Sequence, residues 1–418
     1  MRFVAFFVTV VVALALASVP IPRAAAQIPE GWEIVEIFPA GTEYYCGPPD
    51  INDRGQIVFH RRLWPTRDQI EIMLYDRRKL IQPTDDDVYD SFPRINNHGV
   101  IVWSRDLDPD PSVERIGIVR WLGGQMAVIS DPGDKYLGEG PADINDAGQI
   151  VWNRSLRERP DEPQLFLFDG SSIRPVTDDA FSNQSVRINQ NSEFVWTQYD
   201  FSVSPWVSQV FVFFGGPLTR LTNGQRQVQN PDINDFREVV WRSPFDGVQV
   251  WRMGTTTTVL GENSGVGGIN NRGWITIARK DPASGNSTLW LYRHGALTRL
   301  TEPSLRAGVG RINTRGEIAF VMGRLPNIGV SIFTKESFVA DLDLDADVDL
   351  NDVAVFQRCF GTFPSVYDEC CSSSDTNCDE AVDRCDFAVL FRFLEGARRR
   401  PLGSVRLLAR SSAITMRG

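Results

Sequence analysis

At 418 residues, 42% hydrophobic and 23% charged, the chain is long enough for two domains and a sizeable core. Its 43 Lys and Arg against 53 Asp and Glu give a formal charge of −10, which argues against nucleic acid or an anionic membrane as the main partner. The acid is concentrated: thirteen Asp or Glu and two Arg lie between Asp341 and Asp386, and the remainder is close to neutral.

Residues 1–26 read as an export signal, with Arg2 at the positive start, an apolar run from Phe3 to Val19, and Ala24-Ala25-Ala26 as a small-residue cleavage site before Gln27. The run is too short and too N-terminal to favour a permanent membrane span, an uncleaved anchor being the competing reading, and no other run approaches the roughly 20 apolar residues a span needs. A secreted or cell-envelope protein in an oxidising compartment is expected. Six cysteines suit that compartment. Cys359, Cys370, Cys371, Cys378 and Cys385 crowd together near the C-terminus, whereas Cys46 stands far upstream. Their spacing leaves the pairing open: two local bridges account for four of the five, with the fifth free or joined to Cys46. A thiolate metal cluster competes less well, because the surrounding acids suit a hard cation better than a soft one.

From residue 27 to 338 one phrase recurs seven times, first as Pro49-Asp-Ile-Asn-Asp-Arg-Gly-Gln-Ile-Val-Phe59. Its aligned asparagines are Asn52, Asn96, Asn145, Asn189, Asn234, Asn270 and Asn313, spaced by 44, 49, 44, 45, 36 and 43 residues. A strand-rich repeat of this length marks a β-propeller blade. Each unit predicts four strands: a short one ending at Ile-Asn, an apolar one such as Gln149-Ile-Val-Trp152, a third such as Gln164 to Phe168, and a fourth finishing near Leu221-Thr222 or its equivalents. Asn and Gly tolerate the positive φ of a tight hairpin, so Asn-Asp-x-Gly reads as a turn rather than a ligand set. Two residues before the asparagines stand Asp50, Arg94, Asp143, Arg187, Asp232, Gly268 and Arg311. That alternation of sign, broken once at the glycine, predicts inner-strand residues that pair between neighbouring blades.

These residues resemble the blades of TolB-type propellers, in which an Asp-Gly turn precedes an Ile-x-Phe strand and the unit closes on Leu-Thr. The resemblance implies an all-β seven-bladed propeller and leaves function open, since such propellers serve as binding platforms, protease gates and lyase scaffolds. The strand Trp32 to Phe38 precedes the first repeat and is placed to complete the last blade.

Residues 339–397 change grammar. Asp341, Asp343, Asp345, Asp349 and Asp352 occupy positions 1, 3, 5, 9 and 12 of a twelve-residue loop, with Asp347 at 7 offering a backbone carbonyl. Asp375, Asn377, Asp379, Asp383 and Asp386 repeat the pattern 34 residues later, with Ala381 at 7. Oxygen donors at those positions are what an EF-hand-like loop gives calcium. Val353, Phe356 and Phe360 after the first loop, and Phe387, Leu390, Phe391 and Leu394 after the second, predict one apolar helix face each. Duplicated loop-helix units with Asp at position 12 resemble a type I dockerin, a small α-helical calcium-folded module. The resemblance implies two calcium ions and a cohesin-like protein partner. Ala346 and Glu380 stand where the sharp turn favours Gly, and Leu350-Asn351 and Arg384-Cys385 depart from the usual partner-selecting pairs. Residues 398–418 form a basic tail.

Only His60, His98 and His294 are present, none in a recognised nucleophile pattern. Asp161, Glu162, Asp178 and Asp179 supply acids but no singled-out pair. The sequence therefore favours a secreted binding or assembly protein, whose propeller takes a polysaccharide or protein ligand, with no catalytic residue to name. The competing reading is an extracellular carbohydrate-active enzyme, a glycoside hydrolase or polysaccharide lyase on a propeller scaffold.

Overall fold

The computed structural model describes residues 28, 32–40, 44–63, 70–77, 79–108, 115–131, 133, 136–223, 227–324, 327–335 and 350–359. Among these, the strands group into seven four-stranded antiparallel blades. Blade 2 shows the plan, with Asp90–Ile95, Ile101–Asp106, Ile116–Leu122 and Gln125–Ser130 running outward from a central channel. The inner strands of blades 1 and 3 to 7 are Asp50–Ile51, Asp143–Ile144, Ser182–Ile188, Gln229–Ile233, Ser264–Ile269 and Gly310–Ile312.

Blade 7 is built from both ends of the domain. Its outermost strand is Trp32–Phe38, antiparallel to Asn327–Lys335 with Trp32 opposite Lys335. Trp32 stacks on Phe333 with ring centroids 4.7 Å apart. The first strand thus covers the edge that Asn327–Lys335 would otherwise present to solvent, an edge able to pair with other chains.

The second strands carry the Ile-Val-Trp runs because each is packed on both faces. Trp103, Trp152, Trp196 and Trp241 are fully buried. Burial of a tryptophan contributes on the order of 4–6 kcal/mol before conformational entropy is counted. The cores lie between blades: Val58, Ile72 and Leu74 of blade 1 meet Ile95, Ile101 and Trp103 of blade 2. In the same way Ala319 and Ile332 of blade 7 meet Ile57, Phe59 and Met73 of blade 1.

The Asn-x-x-Gly turns form as the sequence predicts, with Gly99 at φ 75° and its N–H bonded to the Asn96 carbonyl at 3.1 Å. Blades 4 and 5 lack the glycine. Ser192 and Arg237 adopt the left-handed conformation there, at φ 63° and 61°, which costs roughly 1 kcal/mol each.

Cys46 is free and 1% exposed, part of the core between blades 7 and 1, and burial pushes its thiol up to about 12. A bridge from Cys46 to the C-terminal cysteines is therefore corrected: this thiol is a core-packing group. Beyond the propeller, one α-helix is described, Leu350–Cys359, with Val355 and Phe356 buried. The rest of the expected EF-hand-like domain, including residues 341–349 of the first loop, the whole second loop and the second helix, lies outside the described residues. No described helix is long and apolar enough to cross a membrane.

Candidate functional site

The recurring asparagine works in two directions at once. Within its own blade the Asn96 Oδ1 accepts the N–H groups of His98 at 3.1 Å and Val100 at 2.9 Å, which fixes the turn. Its Nδ2 donates to the Asn145 carbonyl in the next blade. The same bond links each aligned asparagine to its successor, and Asn313 returns to Asn52, so seven bonds of 2.8–3.3 Å close a circle at the end of the inner strands. The turn reading of the sequence was half of the role. The other half, a clasp between blades, had its signal in the constancy of Asn at a position where Asp or Ser would also make the turn.

A second tier follows one residue on. Backbone N–H groups of Asp53, Asn97, Asp146, Gln190 and Asp235 donate to the side chains of Asn97, Asp146, Gln190, Asp235 and Asn271, and Thr314 N–H donates to Asp53. Side-chain oxygens at this mouth are thereby turned towards neighbouring blades.

Below the asparagines, a cavity of about 300 Å³ is lined by Asp50, Arg94, Asp143, Arg187, Asp232 and Arg311. All six sit on inner strands, as the alternation predicted. Their bonding differs from simple neighbour pairing. Asp50, Asp143 and Asp232 accept the N–H of Ile95, Ile188 and Ile269 in the following blade at 2.9–3.0 Å. Arg94 Nε lies 4.0 Å from Asp143, whereas Arg311 reaches past blade 6 to Asp232 at 3.2 Å. Gly268 permits that reach, since a Cβ there would stand 2.8 Å from the Asp232 carboxylate.

Burial raises the Asp143 carboxyl and lowers the Arg94 guanidinium, and burial with Arg311 and Arg94 beside it pulls Arg187 down to about 9. Burial also opposes charge on Arg311, but Asp232, Asp50 and Asp143 outweigh it and raise its value. The Nε atoms of Arg94 and Arg187 are buried without a hydrogen-bond partner. The channel is thus a rigid polar socket with guanidinium donors inside and its aspartates engaged by backbone amides. Such a socket can recognise carbonyl, hydroxyl or carboxylate groups; its carboxylates are not disposed as a free acid–base pair.

The other chemical candidates are structural. His60 is buried, accepts the Phe92 N–H through Nδ1 at 3.3 Å, and is driven down to about 4 by burial and by Arg94 and Arg62. His294 packs edge-on against Trp274. Glu162 and Asp178 both pair with Arg159, at 3.5 and 3.2 Å, and Asp179 bonds Asn183 and Gln198. Each of these three carboxylates is thus held by a neighbouring side chain. Asp341, Asp343, Asp345, Asp347, Asp349, Asp375, Asn377, Asp379, Ala381, Asp383 and Asp386 lie outside the described residues, and Asp352 falls within the helix Leu350–Cys359.

No protein-family model matches the sequence, and no curated protein matches it. Solved structures do share the fold. The β-propeller domain of the trilobed protease from Pyrococcus furiosus is 11% identical with a TM-score of 0.51, covering 71% of this chain and 97% of that one. A puromycin-hydrolyzing peptidase from Mycobacterium tuberculosis is 12% identical with a TM-score of 0.52, over 73% of this chain and 55% of that one. The chain thus spans about half the length of that peptidase. An oligogalacturonate lyase in complex with manganese is also 12% identical with a TM-score of 0.52, over 75% and 99%. At these identities the likeness is one of fold. The protease propeller is described as having an open velcro topology, whereas here Trp32–Phe38 closes the ring.

Proposed function

We propose that the chain is an extracellular binding and assembly protein, in which the propeller presents a rigid ligand platform and residues 339–397 form a calcium-ordered, dockerin-like module for a cohesin-like partner. The observation that carries this reading is the state of the channel: Asp50, Asp143 and Asp232 each bond a neighbouring blade's backbone, which favours recognition of a polysaccharide or protein over chemistry. The helix Leu350–Cys359 supports the docking half, because it contains Val353 and Phe356 of the helix expected after the first loop, although it begins three residues earlier, within that loop. The donor set fits a hard cation: Asp341, Asp343, Asp345, Asp349 and Asp352, with the Asp347 carbonyl, offer only oxygen, as do Asp375, Asn377, Asp379, Asp383 and Asp386 with the Ala381 carbonyl. Calcium bound there would order the loops and so fix the helices that meet the partner.

The test uses the chain from Gln27 to Gly418, immobilised and exposed to secreted and envelope proteins of its source, with calcium and with chelator. A protein retained only with calcium, and lost when Asp343→Asn and Asp379→Asn are combined, is expected. Retention of nothing by a chain that still takes up calcium at these loops would sink docking and leave the metal an internal role. Polysaccharide breakdown by residues 27–338 would replace binding by catalysis.

A further inference from the structure

A second site lies between blades 1 and 2, at the opposite end of the inner strand from Asn96. Glu71 and Asp90 are 4% and 0% exposed, and Asp86 between them opens to solvent. One oxygen from each lies within 4.8 Å of the others. Asp90 accepts Trp103 Nε1 at 2.5 Å and Arg105 Nη1 at 2.7 Å, and Asp86 accepts Arg105 Nη2 at 2.6 Å. Glu71 Oε1 accepts the Asp86 N–H at 3.2 Å, while its Oε2 is buried without a hydrogen-bond partner.

The same cage occurs again between blades 3 and 4, built from different chemistry. Thr84-Asp-Asp-Asp-Val-Tyr-Asp90 corresponds to Thr177-Asp-Asp-Ala-Phe-Ser-Asn183. Thr84 and Thr177 each accept a third-strand N–H at 2.9 Å. Gln164, Asp179, Asn183, Trp196 and Gln198 then stand where Glu71, Asp86, Asp90, Trp103 and Arg105 stand. Trp196 Nε1 donates to Asn183 at 2.9 Å, and the Asp179 N–H donates to Gln164 Oε1 at 3.1 Å. In that cage the centre is filled by a donor: Asn183 Nδ2 donates to Asp179 Oδ1 at 2.9 Å and to Gln164 Oε1 at 3.4 Å.

In the blade 1–2 cage an aspartate oxygen replaces that amide nitrogen. Arg105 then bridges Asp86 and Asp90, and the Asp86 N–H reaches Glu71 Oε1, but Glu71 Oε2 stays buried among these carboxylates with no donor. One guanidinium offsets one of three negative charges, so two remain, and an isolated buried charge is costly.

We propose that Glu71, Asp86 and Asp90 bind a divalent cation of the hard, oxygen-seeking class, entering past Asp86 and standing where Asn183 Nδ2 stands in the amide cage. Carboxylate oxygens select calcium, magnesium or manganese over softer metals. A charge of two cancels what Arg105 leaves. The ion ties the third strand of blade 1 to the inner strand of blade 2, on the face away from the asparagine circle. It draws on none of the residues of the calcium loops proposed at 341–352 and 375–386.

The experiment compares manganese uptake of the full chain with that of a triple variant, Glu71→Gln, Asp90→Asn and Arg105→Gln. That variant copies the amide cage, an arrangement this protein already packs, and leaves the C-terminal loops unchanged so that their ions cancel. Counting bound manganese by paramagnetic resonance, the wild-type chain is expected to hold one more ion per chain than the variant, and its unfolding midpoint to rise more on manganese addition. The exposed substitution Asp86→Asn is expected to weaken uptake at this site at least about tenfold. Equal ion counts and equal midpoint shifts in a folded variant would overturn the proposal and assign the excess charge to shared protons.

Discussion

Asn313 donates its side-chain N–H to the carbonyl of Asn52 at 3.0 Å, joining residues 261 apart in the chain. This bond closes the asparagine circle between the last blade and the first. Each asparagine therefore serves turn and clasp, and substitution separates the two. Asn96→Asp keeps the oxygen that accepts the His98 and Val100 N–H groups but loses the donor to Asn145 and sets oxygen against oxygen. Asn96→Ala loses both. Leaving a buried polar group unpaired costs about 1–3 kcal/mol. In denaturant unfolding, Asn96→Asp is expected to lose about that much and Asn96→Ala about twice it. A neutral Asn96→Asp would show that the turn alone matters.

Gly268 makes a prediction opposite to the usual stabilising effect of replacing a strand glycine. Its missing side chain lets Arg311 meet Asp232 across blade 6. Gly268→Ala is expected to lower the thermal midpoint by several degrees, because the added methyl meets the Asp232 carboxylate. Asp143→Asn is expected to lower it less: the amide oxygen still accepts the Ile188 N–H, and only the charge beside Arg187 and Arg94 is lost. Calorimetric melts of both variants rank the two effects; the reverse order would contradict the geometry.

The blade count, the four-strand plan and the closing strand Trp32–Phe38 were legible because they rest on short-range pattern: turn residues at fixed offset, apolar runs, and a spare strand before the first repeat. The sign alternation also placed six charged residues on inner strands. What it did not reveal was their partners. The Asp143 carboxylate is held by a backbone N–H 45 residues away, and backbone donors leave no letter in the sequence. The cage at Glu71, Asp86 and Asp90 draws on two blades, and inner-strand register there depends on an irregularity between Ser91 and Arg94 that side-chain identities do not announce. Its one readable trace was the likeness of the segments beginning at Thr84 and Thr177.

His60 owes its burial to Gly47. A Cβ on Gly47 would fall 2.0 Å from the His60 ring, so Gly47→Ala cannot be accommodated without moving the imidazole. Overpacking of this kind costs typically 1–3 kcal/mol. In a double-mutant cycle, Gly47→Ala is expected to be destabilising alone and nearly neutral in a His60→Ala background. Additive losses would show that the two do not share the space.

Glu317 predicts the acid limit of the ring. It is fully buried, and although burial opposes its charge, Arg77 of blade 1 and Arg315 hold it down to about 2. The folded value lies below the ordinary 4.5, so the unfolded chain binds the proton more readily. Its contribution to stability is therefore present above pH ~4.5 and fades as pH falls from there towards ~2. Asn313 Nδ2 and Thr334 Oγ1 also donate to this carboxylate, at 2.9 and 2.5 Å, so its protonation weakens the contact that joins blade 7 to blade 1. Glu317→Gln is expected to lower stability at pH 7 and to flatten the stability profile between pH ~4.5 and ~2. Urea unfolding midpoints measured across that interval test it, and a variant with the same acid slope as the wild-type chain would show that Glu317 is not the group that titrates.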